Sequence, residues 1–196
     1  MRHNPEVGAI HAHLSPVSLA TELSQITKVL AGARAPFEFV GGMAVNAHIA
    51  AQHQDRMFVT RNIDVLVQRS DLPAIAGYEA CKIIGEFMLR LPDQKPAEAV
   101  HLLFAGAKSK STQPLPHPGL RPEPIELFGR TVPVAPLTDL VRMKLTSFRP
   151  KDLVHLQILD ETGLLSAPVE ESLAPELATR LAQARQQFAE SLPDVE

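Results

Sequence analysis

Cysteine is nearly absent. Cys81 is the single one in 196 residues, which excludes an intramolecular disulfide framework and makes a reducing cytoplasm the expected compartment. An excess of charge of either sign is lacking too: 19 basic residues against 22 acidic ones leave a formal net charge of −3. That balance argues against non-specific coating of nucleic acid and leaves a local basic patch open. No long apolar run occurs, and the opening residues include His3, Asn4, Pro5 and Glu6. Neither a secretory leader nor a membrane span is expected. What the chain does have is 45% hydrophobic residues, enough to bury a sizeable core as one domain or as one domain with a helical annex.

The stretch from Phe37 to Val67 organises the rest. The apolar run Phe37-Glu38-Phe39-Val40 meets Gly41-Gly42, and a run with helical spacing follows from Met43 to Ala51. This predicts strand, tight turn and helix, with glycines that let backbone amides approach an anion at the helix start. A polar, basic loop containing Arg56, Thr60, Arg61 and Asn62 leads to Ile63-Asp64-Val65-Leu66-Val67, an expected second strand. On a strand Asn62 and Asp64 would share a face while Ile63 points into the core. Such a pair suits a two-oxygen metal clamp or the orientation of a phosphate, and it equally fits an ordinary strand entered from a polar turn.

Around this stretch the signals are more ordinary. Residues 1–14 form an expected tail whose His11-Ala12-His13 could share a strand face toward a metal; a fraying terminus is the favoured reading. Ser15-Pro16 reads as a helix start, Leu19, Leu23, Ile26 and Leu30 as its buried stripe, and Gly32 as its end. His48 and His53 could reach a ligand, and packing is the favoured reading. Between 105 and 124 the chain is rich in proline, and Lys108, Lys110 and Arg121 there either line a polyanion path or decorate a connection. Ile125-Glu126-Leu127 and Thr131-Val132-Pro133-Val134 flank Gly129 as a hairpin, with Pro133 at an edge or strand end. Helices follow near Pro136, where Thr138 is a candidate cap, from Arg149 to Gly163, and from about Pro175 to Ser191. In the first of these Lys144 sits close to the apolar stripe, where it either snorkels or holds its ammonium over a cleft.

Gly41-Gly42, the helix, Arg56, Thr60 and Asn62-Ile63-Asp64 together resemble the signature of the polymerase-β-like nucleotidyltransferase superfamily, and most closely its small bacterial branch of abortive-infection toxin-like proteins. The resemblance covers roughly residues 35–165. It implies an α/β (or α+β) fold with a small mixed sheet and flanking helices over 15–135, followed by a helical C-terminal region over 136–196. It further implies that Gly41 and Gly42, with Arg56, Thr60 and Asn62, hold nucleotide phosphates, and that Asp64 with Asn62 and His101 stands where the family binds magnesium, or manganese in its place. Lys144 is implied as the lysine that contacts the triphosphate, and Asp152 as the acid that supports it; Asp64, Lys144 and Asp152 are thus the candidate catalytic residues.

The function implied is transfer of a nucleoside monophosphate from a nucleoside triphosphate to an RNA, such as a tRNA, or to a protein acceptor. The alternative is a catalytically silent relative that binds nucleotide or a cognate protein partner of toxin–antitoxin type, or a second copy of itself. Two departures weigh on the choice. Asn62 stands for the family's first metal carboxylate, and His101 on the strand Val100–Phe104 stands for the third. Magnesium prefers anionic oxygen, and histidine nitrogen suits transition metals better. Three outcomes stay open: one weakly held metal, a substitute carboxylate such as Asp55 or Glu38, or a site without catalysis.

Overall fold

Phe37–Val40 forms a strand, β1, whose four residues are all buried. A strand covered on both faces reads as a continuous apolar run rather than an alternating one. The computed structural model describes residues 16–58, 60, 62–85, 87–92, 94 and 99–191. Helix α1 (Pro16–Gly32) precedes β1 and buries Leu19, Leu23, Ile26 and Leu30, the stripe that the sequence spacing predicts. The reading of His11, His13 and Ser15 falls outside the described residues.

Helix α2 (Gly41–Ala50) starts directly where β1 ends, with Val40 as its extended N-cap. It is buried on almost every side: Gly42, Met43, Ala44, Val45, Asn46, Ala47 and Ile49 are all inaccessible. Its small residues allow close approach to the sheet. Met43, Ala44 and Ala47 belong to the core shared with α1 and the strands, and Val45 and Ile49 to a second core built from the C-terminal helices.

The remaining elements are β2 (Asp64–Val67), α3 (Leu72–Ala76), β3 (Lys82–Ile84), β4 (Met88–Arg90), β5 (Val100–Phe104), β6 (Glu123–Leu127), β7 (Arg130–Val134), α4 (Leu137–Ser147), α5 (Pro150–Glu161), α6 (Ala167–Glu171) and α7 (Pro175–Ser191). Among the described residues the strands form one seven-stranded mixed sheet of order β3-β4-β5-β2-β1-β7-β6. β1 runs antiparallel to β2 with Val40 opposite Asp64, and β5 runs parallel to β2 with Asp64 opposite His101. The end of β1 and the starts of β2 and β5 therefore lie side by side, so the first amides of α2, Asp64 and His101 gather at one margin of the sheet.

The hairpin β6–β7 turns through Phe128 and Gly129, both at positive φ. β6 is the edge and β7 lies inside; Pro133 is tolerated because the pairing of β7 with β1 is limited to Phe39 opposite Val134, beyond it. Helix α4 begins one residue before Thr138, with Pro136 as N-cap and no side-chain cap. The C-terminal helices are joined through Arg185 on α7, which pairs with Asp160 of α5 and Glu170 of α6, each at 2.7 Å. Among the described residues no helix is long and apolar enough to cross a membrane.

Candidate functional site

A cavity of about 680 Å3 opens at that sheet margin, within the size range of small-molecule sites. Gly41, Asp64, His101, Lys144 and Asp152 all line it. Strand order brings the first three together, and α4 and α5 supply the others. His48 and His53 are not part of it: each gives a ring nitrogen to a backbone carbonyl, of Ala135 at 2.9 Å and of Thr162 at 3.1 Å.

Gly41 has φ of +72°, and a Cβ built there would stand 2.1 Å from Asp64 Oδ2. Glycine is thus required twice, by the left-handed backbone and by the carboxylate packed on its Cα. Asp64 Oδ1 accepts a hydrogen bond from His101 Nδ1 at 3.1 Å. This bond raises the imidazole pKa despite partial burial. The other ring nitrogen of His101 has no hydrogen bond among the described residues.

Lys144 is 4% exposed. Its Nζ donates to Asp152 Oδ1 at 3.1 Å. Burial lowers its pKa, while Asp152 and then Asp64 oppose that shift. Asp152, fully buried, is the most heavily engaged group of the site. Ser147 Oγ donates to its Oδ2 at 2.6 Å, as do the Arg149 backbone N–H at 3.2 Å and Nε at 2.8 Å. Burial alone would push its pKa up; Arg149, Lys144 and Ser147 outweigh that and hold it well below the usual carboxylate range. The bond from the Arg149 N–H also satisfies a donor at the start of α5, so Asp152 serves the helix and the lysine at once.

Other expected residues lie elsewhere. Gly42 packs against Thr60 and His155 and does not reach the cavity. Thr60 spends its hydroxyl on the Asn62 carbonyl at 3.3 Å, and Arg56 is exposed. Asn62 precedes β2 and is exposed instead of standing beside Asp64 over the cavity. The pairing fails because β2 begins only at Asp64, so the alternation of faces does not extend back to residue 62. Arg61 lies outside the described residues. His155 stacks on Phe58 with ring centroids 4.6 Å apart, and burial pushes its pKa down to about 4.

Glu38 does not substitute for the missing metal carboxylate. It is inaccessible, bonded to the Arg121 backbone N–H at 2.8 Å, and burial pushes its pKa up to about 6. Asp55 sits in an exposed turn away from the cavity. Arg121 pairs with buried Asp139 at 2.7 Å, so of the three cations between 105 and 124 Lys110 alone lines the cavity.

Several contributors were missed from sequence. Arg149 and Lys151 stand at the start of α5 and both line the cavity, as does Arg180 from α7. Arg180 is held by the Leu145 and Thr146 carbonyls at 2.8 and 3.1 Å, and no local pattern announces it. Asn46 makes two bonds to the Phe58 backbone, at 2.6 and 3.0 Å, and so fixes the loop entering β2. A buried asparagine in an otherwise apolar helix was the available signal.

A solved antigenic nucleotidyltransferase-like protein from Paracoccidioides brasiliensis superposes with a TM-score of 0.59 at 15% identity, over 91% of this chain and 92% of that one. The fold is of nucleotidyltransferase type. The antibiotic-resistance factor ANT(2'')-Ia is similar with a TM-score of 0.49 at 17% identity, covering 87% of this chain and 95% of that one. Its structure in complex with adenylyl-2''-tobramycin has a TM-score of 0.49 at 18% identity, covering 86% and 99%. No family model matches the sequence, and no curated protein matches it.

The nucleotidyltransferase resemblance implies a divalent metal, and the donor set does not fit one. Among the described residues no three His, Cys, Asp or Glu side chains come together as a metal group. Asp64 is bonded to His101 and packed on Gly41, Asp152 is taken up by Arg149, Lys144 and Ser147, and Asn62 is exposed outside the cavity lining.

Proposed function

We propose that the cavity binds a nucleoside triphosphate, and that this chain acts as a nucleotide-binding module on a nucleotidyltransferase fold. One observation carries the reading. An ammonium has three N–H donors; Lys144, nearly inaccessible on the cavity wall, has a single hydrogen bond, to Asp152, among the described residues. A buried charge with unused donors is costly unless a ligand completes it, and phosphate oxygens are suitable acceptors. The start of α2 at Gly41 supports the same ligand, since its first amides lack intrahelical partners and its dipole favours an anion.

Transfer to an RNA or protein acceptor through magnesium or manganese is the other reading of the fold. The occupied carboxylates argue against it. Calorimetric titration with ATP, GTP, CTP and UTP tests the binding reading, with Lys144→Met as the partner variant. Wild-type heat with at least one nucleotide is expected, and affinity about tenfold or more weaker in the variant, from loss of a buried charge-assisted bond. Circular dichroism checks that the variant is folded. Absence of heat with all four nucleotides would remove the proposal.

A further inference from the structure

We infer that this site holds the phosphates without a divalent metal, with fixed side-chain cations as the countercharge. The inference rests on the nucleotide reading above. Five basic side chains line the cavity, Lys110, Lys144, Arg149, Lys151 and Arg180, against two carboxylates, Asp64 and Asp152. The cavity therefore carries an excess of three positive charges in a chain whose formal net charge is −3. Such a local concentration is placed rather than inherited from composition.

The carboxylate oxygens point the same way. A magnesium site is built from hard anionic oxygens left free to enter an octahedral shell. Here Asp152 Oδ1 takes Lys144 and its Oδ2 takes Ser147 and Arg149. Asp64 Oδ1 takes His101, and Oδ2 lies against the Gly41 backbone. Asp152 is spent on protein donors and Asp64 is engaged through one oxygen, while cations remain in excess. A triphosphate entering this cavity finds its neutralising charge already attached to the chain.

The account predicts an effect opposite in sign to that of a metal-dependent site. Magnesium chelated to a triphosphate cancels two of its negative charges, so a site built of fixed cations binds the free nucleotide more tightly than the chelate. Calorimetry is run on the full chain with whichever of ATP, GTP, CTP or UTP binds, once in EDTA and once with saturating magnesium chloride at matched ionic strength. Binding that persists in EDTA, and that weakens or stays the same on adding magnesium, supports the inference; the shift expected is about three- to tenfold.

Lys151→Gln provides the second measurement. Lys151 is exposed on the first turn of α5, so its loss leaves the core intact, and affinity in EDTA is expected to fall about threefold or more. Binding that requires magnesium, or tightens with it, overturns the inference and leaves the nucleotide reading standing. EDTA-resistant binding that is unmoved in both Lys151→Gln and Lys144→Met overturns the inference too, and with it the placing of the nucleotide on Lys144. No binding in either condition overturns both.

Discussion

Replacing Gly41 by alanine tests whether the site depends on the backbone room that glycine leaves beside Asp64. The left-handed φ of Gly41, +72°, costs an alanine about 1–2 kcal/mol. The new Cβ would also stand 2.1 Å from Asp64 Oδ2, so the carboxylate must rotate and give up its bond to His101. A hydrogen bond to a charged group contributes about 1.5–3 kcal/mol. Partial exposure of this pair, 41% for the His101 side chain and 19% for that of Asp64, reduces its share to about 1 kcal/mol. The expected destabilisation is about 2–3 kcal/mol, read from urea denaturation followed by circular dichroism. A double-mutant cycle with Asp64→Ala isolates the contact: without the carboxylate, Gly41→Ala should cost only the backbone part, about 1–2 kcal/mol. Two results would refute the reasoning: a cost below about 0.5 kcal/mol in the wild-type background, or the same cost in both backgrounds.

Glu38→Gln should stabilise the fold near pH 7.5. Burial pushes the Glu38 carboxyl from 4.5 up to about 6, so the folded state holds that proton more tightly, and the associated stability, full below about pH 4.5, is lost as pH rises through about 6. Above that the ionised group costs about 2 kcal/mol; glutamine removes the cost and keeps an acceptor for the Arg121 N–H. Urea midpoints at pH 5 and pH 7.5 check this, with the gain expected at the higher pH, and a loss there would show that the charge is compensated. Asn46→Ala leaves the Phe58 N–H and C=O without their partners and should cost about 2 kcal/mol, with faster hydrogen exchange at the Phe58 amide as the local sign. Arg185→Ala cuts the pairs to Asp160 and Glu170; because all three side chains are partly exposed, a loss of about 1 kcal/mol in urea denaturation is expected.

Local patterns were legible where local physics produces them. The stripe of α1, the β1–Gly41–α2 junction, the β6–β7 hairpin around Gly129 and the four-residue strand β2 follow from periodicities of 3.6 and 2 and from glycine at positive φ. The resemblance that these residues support also led to Gly41, Asp64, His101, Lys144 and Asp152, all of which line the cavity. Asn62 is exposed and precedes β2, so the alternation of faces along that strand does not reach back to it.

The amino-acid sequence by itself determined α1, β1, α2, β2, the β6–β7 hairpin, the glycine that β1 needs before α2, and the overall mixed α/β class, since each depends on neighbours a few residues apart. The tertiary structure alone decided which charges are free. It brings Arg180 to the cavity from a helix 35 residues beyond Leu145, spends Asp152 on Arg149, Lys144 and Ser147, and buries Glu38 outside the cavity lining. A carboxylate's availability is set by the donors within hydrogen-bond reach and by its exposure to water, and both are fixed by contacts between segments far apart in the chain.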